Sequence, residues 1–157
     1  MNPAEIIKQR RLEKGLKEKD VWSSAGMTQS EYQDVEWDES EAFTALPLKW
    51  LRRICAYLDL DMLALIDGCL PASTVGEVPE DWICLRRHKL IEAARLRRGW
   101  SQDELGDQIG FQTVAIERME RDGAFLESWP VDLITELASL LDVPRTLLLT
   151  LGHEGDF

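Results

Sequence analysis

Residues 101–122 constrain this chain more than any other stretch. They read as two short helices joined at Gly110. Ser101 is a strong N-cap residue, and Glu104 three positions on completes a capping box, in which side chain and backbone satisfy each other's free groups. Leu105 and Ile109 lie four apart, on one face of the first helix. Gly110 can take a left-handed conformation and so end that helix. Phe111 opens the second segment, whose inward face is Ile116 and Met119. The first helix needs a small residue where the second crosses it, and Gly106 stands there. Gln112, Thr113, Val114, Glu117 and Arg118 point away from the inward face.

Two short helices joined this way form a helix-turn-helix. Leu90, Ile91, Arg95, Leu96, Gly99 and Trp100 ahead of it, and Leu133, Leu137, Ala138, Leu141 and Val143 after it, extend the match. Residues 88–150 resemble the Cro/phage-repressor (XRE-type) helix-turn-helix family. The resemblance implies a compact, lambda-repressor-like domain of five helices whose usual role is sequence-specific binding of double-stranded DNA. In that family an Arg of the first helix pairs, largely buried, with a Glu that ends the third. Arg95 and Glu120 hold those positions. Removing one partner of such a pair would leave a buried charge at a cost of about 3–5 kcal/mol.

The resemblance also turns Gln112, Thr113, Val114 and Arg118 toward the major groove. Gln can pair with adenine, Arg with guanine, and Thr or Val can touch a thymine methyl. Gln102 matches the family's phosphate-anchoring Gln, and Ser101, Arg97 and Arg98 stand beside it as positioning residues. Two features oppose DNA. The loop after the second helix, residues 122–129, has no Lys or Arg, and Glu117 sits among the groove-facing positions.

The first seventy residues repeat the plan of the last seventy. A shift of 84 places Ile7 on Ile91, Arg11 on Arg95, Gly15 on Gly99, Gly26 on Gly110 and Glu36 on Glu120. Hydrophobic character matches at Val21/Leu105, Tyr32/Ile116 and Val35/Met119. After one deletion Pro47 meets Pro130, Ile54 meets Leu137 and Leu58 meets Leu141. Such ordered coincidence predicts an all-α chain of two tandem five-helix modules. Residues 1–67 form a degenerate module and residues 83–157 the one nearer the family pattern. Residues 68–82, rich in Gly, Pro and small polar side chains, form the linker. Within the first module, helices are expected at about 3–14, 18–25, 28–37, 47–58 and 61–66, with an acidic loop after residue 37. Module 2 should begin its first helix near Ile83. The pair Arg95–Glu120 recurs as Arg11–Glu36.

The first module departs from the family further. Glu18 replaces the phosphate-anchoring Gln, and Trp22 falls where the crossing wants a small residue. Glu31 and Asp34 point outward, and Asp38, Glu39 and Glu41 follow. These carboxylates would repel DNA phosphates, more so at low salt. This module is therefore expected to serve architecture, self-association or a protein partner. Of the six tryptophans, Trp50 and Trp100 are expected near the core, and Trp22, Trp37, Trp82 and Trp129 at module edges.

Charge bears on the same choice. Eighteen basic residues against 29 acidic give a net −11, whereas DNA binders usually carry a basic footprint. Positive charge does gather at Arg86, Arg87, Lys89, Arg95, Arg97 and Arg98. The cysteines Cys55, Cys69 and Cys84 are odd in number and show no Cys-x-x-Cys spacing, which points to a reducing cytoplasm rather than disulfides or zinc. His88 and His153 are isolated, so no metal or other cofactor is expected. No apolar run reaches the ~18–20 residues of a membrane span, and the first residues do not read as a signal peptide. No nucleophile elbow, Walker loop or metal-hydrolase motif is present, so no enzyme is expected. The favoured expectation is a cytoplasmic transcriptional regulator, bound to its operator as at least a homodimer. The alternative is a protein-interaction module that keeps the fold and has lost DNA.

Overall fold

The computed structural model describes residues 1–150. Residues 151–157, His153 among them, lie outside the described residues. The elements are α1 (Pro3–Glu13), α2 (Glu18–Ala25), α3 (Gln29–Trp37), α4 (Glu41–Thr44), α5 (Leu48–Tyr57) and α6 (Met62–Cys69), then a 3-10 turn (Glu80–Cys84). They continue as α7 (Arg87–Arg97), α8 (Gln102–Ile109), α9 (Thr113–Arg121), a second 3-10 turn (Gly123–Ser128), α10 (Val131–Leu140) and α11 (Arg145–Leu149). The protein is all-α, with no strand among the described residues. No helix among them is long and apolar enough to cross a membrane.

The chain divides into two compact units. Among the described residues, the first holds Met1–Ala72 and Glu127–Asp132, and the second holds Ser73–Leu126 and residues 133–150. Helix boundaries recur between them. α1, α2 and α3 reappear as α7, α8 and α9 with both ends displaced by 84 residues, and α5 reappears as α10 displaced by 83.

Local sequence explains where the helices start and stop. Asn2 accepts from the Glu5 amide at 2.9 Å, and its own amide donates to Glu5 Oε2 at 3.1 Å. This capping box opens α1 around Pro3, whose missing N–H is not needed in a first turn. Thr28 with Glu31 and Ser101 with Glu104 build the same device at α3 and α8. Every residue with a left-handed φ in the described chain belongs to a pair at equivalent positions: Gly15 and Gly99, Gly26 and Gly110, Asp59 and Asp142. The two Asp residues adopt it without glycine's freedom, as a short polar side chain allows.

Each unit buries its own core. In the first, Ile7, Val21, Tyr32, Val35, Leu51, Ile54 and Leu58 are fully enclosed, and in the second Ile91, Leu105, Ile116, Met119, Ile134, Leu137 and Leu141 are. These are the same seven positions, offset by 84 or 83. At about 1.5–3 kcal/mol for each large apolar side chain, such positions dominate the choice of fold.

Some boundaries differ from the sequence reading. α6 runs three residues past 66, because Leu70 N still donates to Ile66 O at 2.9 Å and Gly68 has no positive φ to break the helix. The span read as linker therefore begins inside a helix. Its other end holds a 3-10 turn closed by bonds from Trp82 N to Pro79 O and Leu85 N to Trp82 O, both 3.0 Å. Leu85 and Arg86 are extended, so α7 starts at Arg87 rather than near Ile83. The acidic loop after residue 37 contains α4. Trp129, expected at an edge, is buried, whereas Trp50 and Trp100 are half-buried and Trp37 is bare.

Candidate nucleic-acid interface

α8 and the turn that leads into α9 approach each other as closely as a backbone permits. A Cβ built on Gly106 would lie 2.5 Å from Phe111 O, inside any real contact distance. Gly110, at φ +84°, ends α8, and Phe111 N donates to Gly106 O at 2.9 Å. This fixes which face of α9 turns inward. Ile116, Met119 and Glu120 are buried there.

Glu120 is held by Arg95. The guanidinium donates through Nη2 to Oε1 at 2.8 Å and through Nε to Oε2 at 2.9 Å, while Nη1 donates to Trp100 O at 2.7 Å. Glu120 binds the α7 guanidinium from the last full turn of α9, so α7 and α9 are fixed together. In the first unit Arg11 donates to Glu36 at 2.6 and 2.9 Å and to Leu16 O at 3.0 Å. There Tyr32 adds a third donor to Glu36 at 2.6 Å, and burial first, then this bond, raises the phenol's pKa. Ile116 occupies the matching place in the second unit and offers no such bond.

The outward face of α9 carries the residues read from sequence. Gln112 is the exposed N-cap, and its side chain makes no capping bond, unlike Thr28 at the equivalent place. Val114 is 64% exposed. Arg118 is exposed, with its guanidinium 4.9 Å from the Phe125 ring. Thr113 is half-buried, and its hydroxyl donates to the Asp103 carboxylate. At the start of α8, Ser101 Oγ accepts from the Glu104 amide at 3.1 Å, and Gln102 is the half-buried first residue of the helix. Gln112, Thr113 and Val114 thus cluster at the start of α9, and Arg118 follows more than one turn along it.

Part of the basic gathering before residue 101 is taken up by the fold, while Arg86, Lys89, Arg97 and Arg98 stay exposed. Arg87 is fully buried, donating to Gly123 O at 2.7 Å and Leu148 O at 3.3 Å. Arg95 is buried against Glu120. Arg97 donates to Asp142 O at 2.8 Å and stacks 4.6 Å from the Trp82 ring, so its charge caps the left-handed turn after α10. Lys89 pairs with Glu92 at 3.2 Å. Arg98 is exposed, 4.7 Å from the Trp100 ring.

Sequence reasoning missed two site residues. Asp103 shares the surface of Thr113, and no spacing in the sequence announces that pair. Arg121 ends α9, exposed, and follows Arg118 at the i+3 spacing that puts both on one face. No family model matches the chain, and no curated protein matches it. Among solved structures, the chain is similar to the crystal structure of the hypothetical transcription factor NHTF from Neisseria, at 27% identity and a TM-score of 0.34, over 54% of this chain and 89% of that one.

Across the first unit, the equivalent surface is acidic. Glu18 accepts from Gln33 at 3.2 Å. Asp38 accepts from the amide and hydroxyl of Ser40, which hold its pKa below the usual range. Glu41 is shifted upward, by burial first and then by Asp34 and Asp38. Trp37, next to Asp38 in sequence, is 69% exposed.

Proposed function

We propose that this chain is a non-enzymatic, DNA-binding transcriptional regulator of the Cro/XRE type that acts in the cytoplasm and places α9 in the major groove. The observation that carries this reading is the orientation of α9. Its inner face is fixed by Gly106 and by Arg95–Glu120, and its outer face offers Gln112, Val114 and Arg118 at helical spacing. Gln112 reads adenine through its amide, Arg118 reads guanine through its fork of donors, and Val114 rests on a thymine methyl. Asp103 holds the Thr113 hydroxyl in place at the start of α9. Ser101, Gln102 and Arg98 position the unit on phosphates, with Arg97 acting through the turn it caps. A single acidic unit binds weakly, so the active species on DNA is at least a dimer reading two half-sites.

A second reading has its own support. Asp103 and Glu117 beside the reading face, and the acidic surface around α3, favour a protein-interaction module that has kept the fold without DNA. Selection from a random-duplex library at ~50 and ~200 mM salt separates the two. The regulator enriches one short motif whose retention falls as salt rises. No enrichment at either salt overturns the regulator and leaves the interaction module.

A further inference from the structure

The outer faces of α3 and α9 hold equivalent positions in the two units, yet their charge is opposite. Asp34 stands where Arg118 stands, and Trp37 where Arg121 stands, each 84 residues apart. All four side chains are exposed, and Trp37 keeps 69% of its surface in water. A bare indole at the end of a helix whose exposed residues and following turn carry Asp34, Asp38, Glu39 and Glu41 presents a face that repels nucleic acid, and it repels another face like itself. It suits a cationic helix face bearing arginine, which can pair with a carboxylate and stack on the ring.

This chain carries such a face. Arg118 and Arg121 are three residues apart, as Asp34 and Trp37 are. Whichever way the helices run, one arginine meets the carboxylate while the other meets the indole. We propose that the α3 face of one copy docks on the α9 face of a second copy. The regulatory consequence rests on the DNA reading above. Arg118 cannot touch a base while it is held by a neighbour's α3, so this α3–α9 contact, unlike the dimer that reads two half-sites, excludes DNA from the copy whose α9 it covers. Two helix faces bury less than a standard interface of about 1,600 Å², so the contact is weak and salt-sensitive.

The test is sedimentation of the full chain across micromolar to sub-millimolar concentrations at ~50 and ~200 mM salt, with two variants. Asp34→Arg sets an arginine against Arg118 and Arg121, and Arg118→Glu/Arg121→Glu sets carboxylates against Asp34. All three positions are exposed, and circular dichroism checks that each variant folds. Wild type should associate reversibly, and less at the higher salt. Each variant alone should associate about tenfold more weakly. An equimolar mixture of the two should regain the wild-type association, although both variants remain anionic overall. A monomeric wild type overturns the proposal, whatever basic partner the α3 face then binds. So do variants that associate as wild type does, and a mixture that fails to associate. Duplex binding measured on the same samples keeps the two claims apart. Wild type that self-associates but binds no duplex even at concentrations where it is monomeric upholds docking and removes the DNA reading. Asp34→Arg that binds duplex and still self-associates removes docking alone.

Discussion

Glu120 receives Arg95 through two parallel bonds of 2.8 and 2.9 Å, with both residues buried. Arg11 and Glu36 repeat the arrangement at the same separation of 25 residues. Glu120→Ala should therefore cost about 3–5 kcal/mol, because it strands a buried guanidinium. Replacing both partners by apolar residues of like volume should cost far less. Urea unfolding of the full chain reads the difference, and equal losses for the single and double variants would show that packing, not the stranded charge, sets the cost.

Gly106 and Gly68 should respond in opposite directions to alanine. At Gly106 the new Cβ meets the Phe111 backbone oxygen at 2.5 Å, which cannot rotate away, so the turn between α8 and α9 must shift. At Gly68 nothing lies within 4 Å, and the residue is helical. Gly68→Ala should stabilise by about 0.5–1 kcal/mol, and Gly106→Ala should destabilise by more than that. Melting temperatures of the two variants decide it.

If α9 reads DNA, Arg118→Ala should lose about 1–3 kcal/mol of discrimination at one base pair and leave the other positions alone. Asp103→Asn keeps an acceptor for Thr113 and removes a negative charge from the interface. Its affinity for the same duplex should rise, and rise more at ~50 than at ~200 mM salt. Fluorescence anisotropy with the selected motif measures both, and an unchanged base preference in Arg118→Ala would strike that residue from the reading face.

The thiols should separate by reactivity. Burial pushes the Cys55 thiol up to about 12, and the thiolate is the reactive form. Cys84 is exposed and Cys69 half-buried. Mass spectrometry of chain treated with iodoacetamide near pH 8 should find Cys84 alkylated first and Cys55 only after denaturation. Early labelling at Cys55 would mean that α5 opens under native conditions.

The capping box of α3 should respond to acid. The Thr28 amide and hydroxyl hold the Glu31 pKa below its ordinary 4.5. Its stabilising contribution is thus complete above that ordinary value and disappears as pH falls through the lower folded value. Glu31→Gln should flatten this part of the stability–pH curve, as read by unfolding midpoints between pH 3 and about 6.

The fold was legible because few residue types satisfy its demands. A serine before an acidic first turn, a glycine at each left-handed stop and apolar residues at helical spacing are readable one position at a time. The exposed face of α9 could be read for the same reason, since it is what remains once Ile116 and Met119 are turned inward. The fates of the arginines could not. Arg87, Arg97 and Arg98 look alike in sequence, but their partners, Leu148 O, Asp142 O and the Trp100 ring, are supplied by the packed unit. Asp103 was missed because its tie to Thr113 spans the turn between two helices. Trp129 was expected at an edge and is buried, because aromatic residues at element ends carry no periodic signal.

The first unit is built from two separated stretches of chain. Trp129 O accepts from Leu48 N at 2.9 Å, satisfying one of the amides that a helix start leaves open, and Glu127 receives Arg52 at 2.8 Å. Both donors are synthesised long before their acceptors. Sixty residues separate Ala72 from Asp132, about 3–12 s of translation at ~5–20 residues per second. During that interval the nascent first unit carries an open helix start, and Arg52 lacks Glu127, while α7, α8 and α9 are being made. The order of birth and the order of completion therefore differ in this protein, and the half made first is finished only when the other is nearly complete.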